Sequence, residues 1–121
     1  DGMQFTLRAP SEQDYGGYLL KLLRPSGNAE LLFEFMIEQG DAGVMFNSAE
    51  FPRLQQRFKL IKNRKYQARL VSQNNRVTFY CDQQILEEKL VSVSNQPTHV
   101  LFALEGRQAS IRVFNLRLKP E

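Results

Sequence analysis

Residues 29–47 read AELLFEFMIEQGDAGVMFN. Leu31, Phe33, Phe35 and Ile37 recur at every second position, with Glu34 and Glu38 on the alternate ones, so a strand of this sequence buries one face and wets the other. Gln39-Gly40-Asp41 follows as a turn signal, and Val44-Met45-Phe46 reads as a second apolar strand. An apolar sheet face has to be covered by another layer, which makes this stretch half of a β-sandwich.

Working outward, strand signals recur between turn signals, and no helical period persists for three turns. Phe5 to Arg8 is stopped by Pro10, and Tyr18 to Leu23 ends at the turn cluster Pro25-Ser26-Gly27-Asn28. Beyond an irregular segment at Phe51-Pro52, strands are expected at Arg57 to Ile61, Tyr66 to Val71, Val77 to Cys81, Ile85-Leu86, Leu90 to Val93, Val100 to Leu104 and Ile111 to Leu118. Asn74-Asn75 tolerates the left-handed angles of a tight hairpin. Glu87 to Leu90 is the one stretch that suggests a helical turn, and Ser11 to Tyr15 reads as a loop. The apolar phase switches from odd at Ile111 and Val113 to even at Phe114, Leu116 and Leu118, which a bulge at Phe114-Asn115 explains. About ten or eleven short strands result, and they argue for an antiparallel sandwich rather than alternating strands and helices. Phe33, Phe35, Phe46, Phe79, Val100, Phe102 and Ile111 are its expected core.

At 121 residues, with 42% hydrophobic content and nine Phe, the chain builds one domain, 1–121, without staples. Its 24% charged residues are ordinary for a soluble module, and its apolar runs are too short to span a bilayer. The opening Asp1-Gly2-Met3 carries no basic or apolar leader, which reads as a mature or excised fragment of a longer chain and leaves the compartment unassigned. The single cysteine, Cys81, excludes an intrachain disulfide and a cysteine-based zinc cluster. It reads as a packing residue, since the one base that could activate it, His99, stands in a different apolar strand with nothing acidic nearby to orient it. No catalytic signature or phosphate loop occurs.

Several passages carry a resemblance to a known superfamily. Asp41-Ala42-Gly43-Val44-Met45-Phe46 after an FEF-type strand, Tyr66 to Leu70 paired with Val77 to Leu86, and the ending Ala109 to Leu118 resemble the concanavalin A-like and laminin G-like sandwiches. The likeness covers roughly residues 5–119, with one departure: Gln83 stands where those proteins have Gly in the hairpin. It implies an all-β, antiparallel two-sheet jelly-roll, acting as a carbohydrate-binding or interaction module, or in one branch as a glycoside hydrolase.

The hydrolase branch can be tested on the residues. One group of glucanases carries E-x-D-x-E on a strand, and Glu34 to Glu38 reads EFMIE, without the central Asp. Glu34 and Glu38 share a face but lie about 13 Å apart at roughly 3.3 Å per residue, whereas a retaining pair needs about 5–5.5 Å. A calcium reading through Asp14, Asp41 and Asp82 lacks clustered spacing, and turn formation accounts better for each. No cofactor or metal is expected. For stacking on a sugar ring the chain offers Tyr15, Tyr18, Tyr66 and Tyr80 but no Trp, and alternation leaves Tyr80 facing away from Val77, Phe79 and Cys81.

Eight of the 16 Lys and Arg fall between Arg53 and Arg76, a segment without an acidic residue. Arg57, Lys59, Gln67 and Arg69 are expected on one outward face, opposite Phe58, Leu60, Ala68 and Leu70. Such a band suits either a solvated outer face or a polyanion, with Lys62, Arg64 and Lys65 as contacts. Two classes of function therefore stand: a non-catalytic module binding a carbohydrate or a protein, with Glu34, Glu38, Tyr80, Arg57, Lys59 and Arg69 as candidate ligand contacts, and a glycoside-processing domain using Glu34 and Glu38.

Overall fold

A computed structural model describes residues 3–8, 15–25, 28–91 and 97–120. Eight strands and one short helix follow in the order β1 (Met3–Arg8), β2 (Tyr15–Pro25), β3 (Ala29–Phe46), β4 (Ala49–Phe51), α1 (Leu54–Phe58), β5 (Tyr66–Gln73), β6 (Arg76–Cys81), β7 (Gln84–Leu90) and β8 (Pro97–Pro120). Every pairing is antiparallel. Asp14 and the tip of the Pro25–Asn28 turn lie outside the described residues, as do the side chains of Tyr15, Tyr18 and His99.

Residues 29–46 form one continuous strand rather than two. Residues 29–39 of β3 pair with 110–120 of β8, and residues 41–46 pair with 100–105. The two longest strands thus run side by side through both layers of the sandwich and bend together between them. Their first partnership belongs to the layer β1-β8-β3-β5-β6-β7, and their second is flanked by β2 and β4. The same merging joins the two strands expected within 100–118, so the described residues hold fewer and longer strands than the turn signals suggested; the end of the strand expected at Leu90 to Val93 lies outside them.

The bend is a steric requirement of Gly40. Its φ is +66°, and a Cβ there would lie 2.6 Å from the Glu105 carbonyl oxygen and 2.8 Å from Ala109 Cβ. Gly106, at φ +100°, stands against the Gly40 Cα, and Gln108 also takes a positive φ. The extra residues 106–109 bulge out of β8 here, which the register shows as Gln39 opposite Ser110 followed by Asp41 opposite Glu105. A second bulge sits where the phase change placed it: Leu32 faces Arg117, Glu34 faces Phe114, and Asn115 has φ 53°.

Between the layers lies the expected core. Phe33, Phe35, Phe46, Phe79, Val100, Phe102 and Ile111 are all buried. Rings from the two layers meet edge to face, Phe33 with Phe102 at 5.4 Å and Phe51 with Phe79 at 5.3 Å between centroids. Three two-residue hairpins, Asn47-Ser48, Asn74-Asn75 and Asp82-Gln83, take positive φ at both positions, the type I′ geometry whose twist matches the strands.

Two further expectations fail. Arg57 to Ile61 is not a strand: α1 occupies Leu54–Phe58 and a left-handed Lys59 ends it. Leu54 and Phe58, four apart, both pack on the core. The residue before the helix, Arg53, provides no side-chain cap. Asp41 caps the helix from β3 instead, its Oδ1 accepting from Gln55 N–H at 2.8 Å and its Oδ2 from Gln56 N–H at 3.0 Å. A cap 14 residues away in sequence leaves no local signal. The helical turn suggested at Glu87 to Leu90 is also absent, because edge pairing with β6 holds that segment extended in β7.

Gly40→Ala is expected to destabilise the protein by more than about 2 kcal/mol, since it adds backbone strain to overpacking; denaturant unfolding with an unchanged midpoint would place the bend elsewhere. Asp41→Ala should cost about 1–2 kcal/mol through the lost cap, read from the same midpoint.

Candidate functional site

Alternation along β3 turns Glu30, Leu32, Glu34, Met36 and Glu38 away from the core. On the same outer face the register places Arg69 and Arg117 on either side of Leu32, with Tyr80 beside Arg69. A solvent-open depression of about 540 Å³ forms there, lined by Leu32, Glu34, Gln67, Arg69, Tyr80, Gln83 and Arg117. Its walls offer amide and guanidinium donors, one carboxylate among the described lining residues, and an aromatic ring. That set is suited to hydrogen-bonding hydroxyl-rich ligands.

Every outward glutamate of β3 is tied to a cation of a neighbouring segment. Glu30 accepts from Arg69 Nε at 3.0 Å, Glu34 lies 3.6 Å from Lys65 Nζ, and Glu38 lies 3.0 Å from Arg112 Nε. Asn115 Nδ2 donates to Glu34 at 3.2 Å and Ser110 Oγ to Glu38 at 2.8 Å. The guanidinium of Arg69 also lies over the Tyr80 ring, 4.9 Å from its centroid. Glu34, Arg69 and Tyr80 therefore meet at one depression, whereas Glu38 lies beyond its lining.

Arg57 and Lys59 are not part of this face. The strand expected around them is helical, and Arg57 turns instead to Glu87, to the Pro52 carbonyl at 3.2 Å and over its neighbour Phe58. Leu32, Gln67, Gln83 and Arg117 line the depression without having been candidate ligand contacts in the sequence. The alternation Arg117–Leu118 after the bulge marks Arg117 as outward, but the adjacency of β8 to β3 is a tertiary fact.

The basic segment is not an uncompensated band in three dimensions. Arg57, Arg64, Lys65, Arg69 and Arg76 find acidic partners in Glu87, Asp82, Glu34, Glu30 and Glu88. Within the proposed polyanion triad, Lys65 also sits over the Phe114 ring at 4.2 Å and Arg64 over Tyr66 at 4.6 Å. Asp41 and Asp82 use their carboxylates on backbone N–H groups, as turn and cap residues do. Among the described residues, no three His, Cys, Asp or Glu gather as metal ligands.

Cys81 is buried in β6. Burial, reinforced by the adjacent Asp82 carboxylate, pushes its thiol up to about 12. The unfolded thiol ionises near 9, so between about pH 9 and 12 the native state holds the extra proton. This group's contribution then falls with rising pH, by about 1.4 kcal/mol per unit. The thiol should resist iodoacetamide at pH 8 in the native protein and react fully in denaturant; fast native labelling would contradict the packing role.

No family model matches the chain, and no curated protein matches it significantly. Solved structures do. A sialidase matches 99% of this chain with a TM-score of 0.72 at 12% identity, over 16% of its own length. A carbohydrate-binding module from Bacillus subtilis matches 98% with a TM-score of 0.60 at 12% identity, over 96% of its length. A Bacillus licheniformis β-glucanase matches 98% with a TM-score of 0.52 at 8% identity, over 78% of its length. This chain thus spans a small part of the sialidase and nearly all of the binding module. The architecture they share with it, two bent antiparallel sheets around one core, is the concanavalin A-like jelly-roll sandwich.

Proposed function

We propose that the protein is a non-catalytic carbohydrate-binding module, acting as an accessory domain of a longer chain, and that it binds its ligand on the outer face of the six-stranded layer. The observation that carries this reading is the depression over Leu32, where Arg69, Arg117, Tyr80 and Glu34 converge. Amide and guanidinium groups donate to sugar hydroxyls, Glu34 accepts, and the Tyr80 ring offers a flat apolar surface. The likeness to a carbohydrate-binding module over nearly its whole length supports the same assignment.

Turnover is disfavoured on geometry. Hydrolysis needs two carboxyl groups converging on one glycosidic bond. Glu34 and Glu38 lie about 13 Å apart along a strand, each held by its own cation, and Glu38 is not among the lining residues. The polyanion reading loses its main support because five of the eight cations between Arg53 and Arg76 are paired.

A glycan array run with Tyr80→Ala and Arg117→Ala tests the assignment. Each substitution should weaken array binding about tenfold or more without changing the thermal midpoint, and a parallel assay on β-glucans should show no hydrolysis. Binding that survives both substitutions would move the site elsewhere. Hydrolysis lost on Glu34→Gln with the fold intact would establish the enzyme instead.

A further inference from the structure

A second depression of about 460 Å³ adjoins the first on the same outer face, lined by Val71, Gln73, Asn74, Arg76, Thr78 and Glu88 together with Tyr80. Tyr80 is common to both linings, so its side chain stands as a ridge between two polar hollows. The second hollow is built, not incidental: Thr78 Oγ1 donates to Glu88 at 3.2 Å, Arg76 holds the same carboxylate at 3.4 Å, and Asn74 N–H donates to Asn28 at 3.3 Å. Its residues come from β5, β6, β7 and the β5–β6 turn, whereas the first hollow draws on β8, β3, β5, β6 and the β6–β7 turn.

The register sets the second hollow, with Val71 opposite Thr78 and Thr78 opposite Glu88, two to four residues along β5 and β6 from the Arg117, Leu32, Arg69 and Tyr80 row of the first, about 7–13 Å at roughly 3.3 Å per residue. Each volume falls in the roughly 300–1,000 Å³ range that holds a drug-sized ligand, and both are open to solvent. Resting on the carbohydrate-binding assignment above, we infer that the protein takes an internal segment of a linear glycan, laid obliquely over the sheet with successive sugar units on either side of Tyr80. Arg69, stacked on Tyr80 and paired with Glu30, fixes the ridge on the side of the first hollow. Across β6 from Arg69, Tyr80 stands opposite the exposed Ile85 of β7, which adds apolar surface beside the ridge. A site for a chain terminus needs one closed hollow; two open hollows sharing a wall fit a chain that passes through.

The test is a chain-length series on an array of linear neutral and acidic glycans, each presented as one, two, four and six sugar units. Binding should rise steeply between one unit and four, then level off. A single unit bound as tightly as six would overturn the inference while leaving the carbohydrate-binding assignment standing, and no binding to any glycan would overturn both. The double substitution Arg76→Ala with Glu88→Ala removes the ion pair of the second hollow as a unit from a solvent-facing position. It should weaken the six-unit ligand about tenfold and leave the two-unit ligand unchanged. Equal losses for both lengths, or none for either, would show that the second hollow is not a subsite.

Discussion

Gly40 and Gly106 stand back to back where β3 and β8 bend together, and the rest of the sandwich depends on that contact. Each of these strands serves first one layer and then the other. The bend therefore brings Phe33 of one layer onto Phe102 of the other, and with them the whole set of buried rings. A side chain at Gly40 would collide with the backbone of the partner strand, and no rotamer relieves an overlap with backbone. The hydrophobic residues supply most of the stability through burial, but the backbone geometry at this corner decides that they face each other.

The outer face shows a different economy. Glu30, Glu34 and Glu38 recur every fourth residue along β3 and each meets a cation of β5, β8 or the segment before β5. Exposed pairs of this kind contribute about 0–1 kcal/mol each, so their effect is one of order more than stability. They hold long side chains in fixed positions across the sheet and cancel most of the local charge. Arg117 has no carboxylate partner among the described residues and stands beside Leu32 at the depression, available to a ligand.

The small helix illustrates how a long-range contact replaces a local one. α1 is too short to persist by propensity. It is held by the Asp41 carboxylate on its first N–H groups and by Leu54 and Phe58 on the core, while Asn63 N–H donates to the Ile37 carbonyl beyond it. The aspartate does this immediately after the glycine bend, so one corner of the chain both turns the strands and anchors the helix.

By itself the sequence determined the all-β class, the inward and outward faces of residues 29–38, the buried rings, the Asn74-Asn75 hairpin and the bulge near Asn115, because strand alternation and turn chemistry are local and have a period of two. It also marked Glu34, Arg69 and Tyr80 as outward residues. Only the tertiary structure decided that Gly40 bends a continuous strand rather than ending one, that residues 54–58 are helical, that the cations of residues 53–76 are largely paired, and that Arg117 joins Tyr80 at one depression. Each of those depends on which strands lie side by side. Neighbours separated by tens of residues are chosen by burial and steric fit of the whole chain, and no local pattern encodes them.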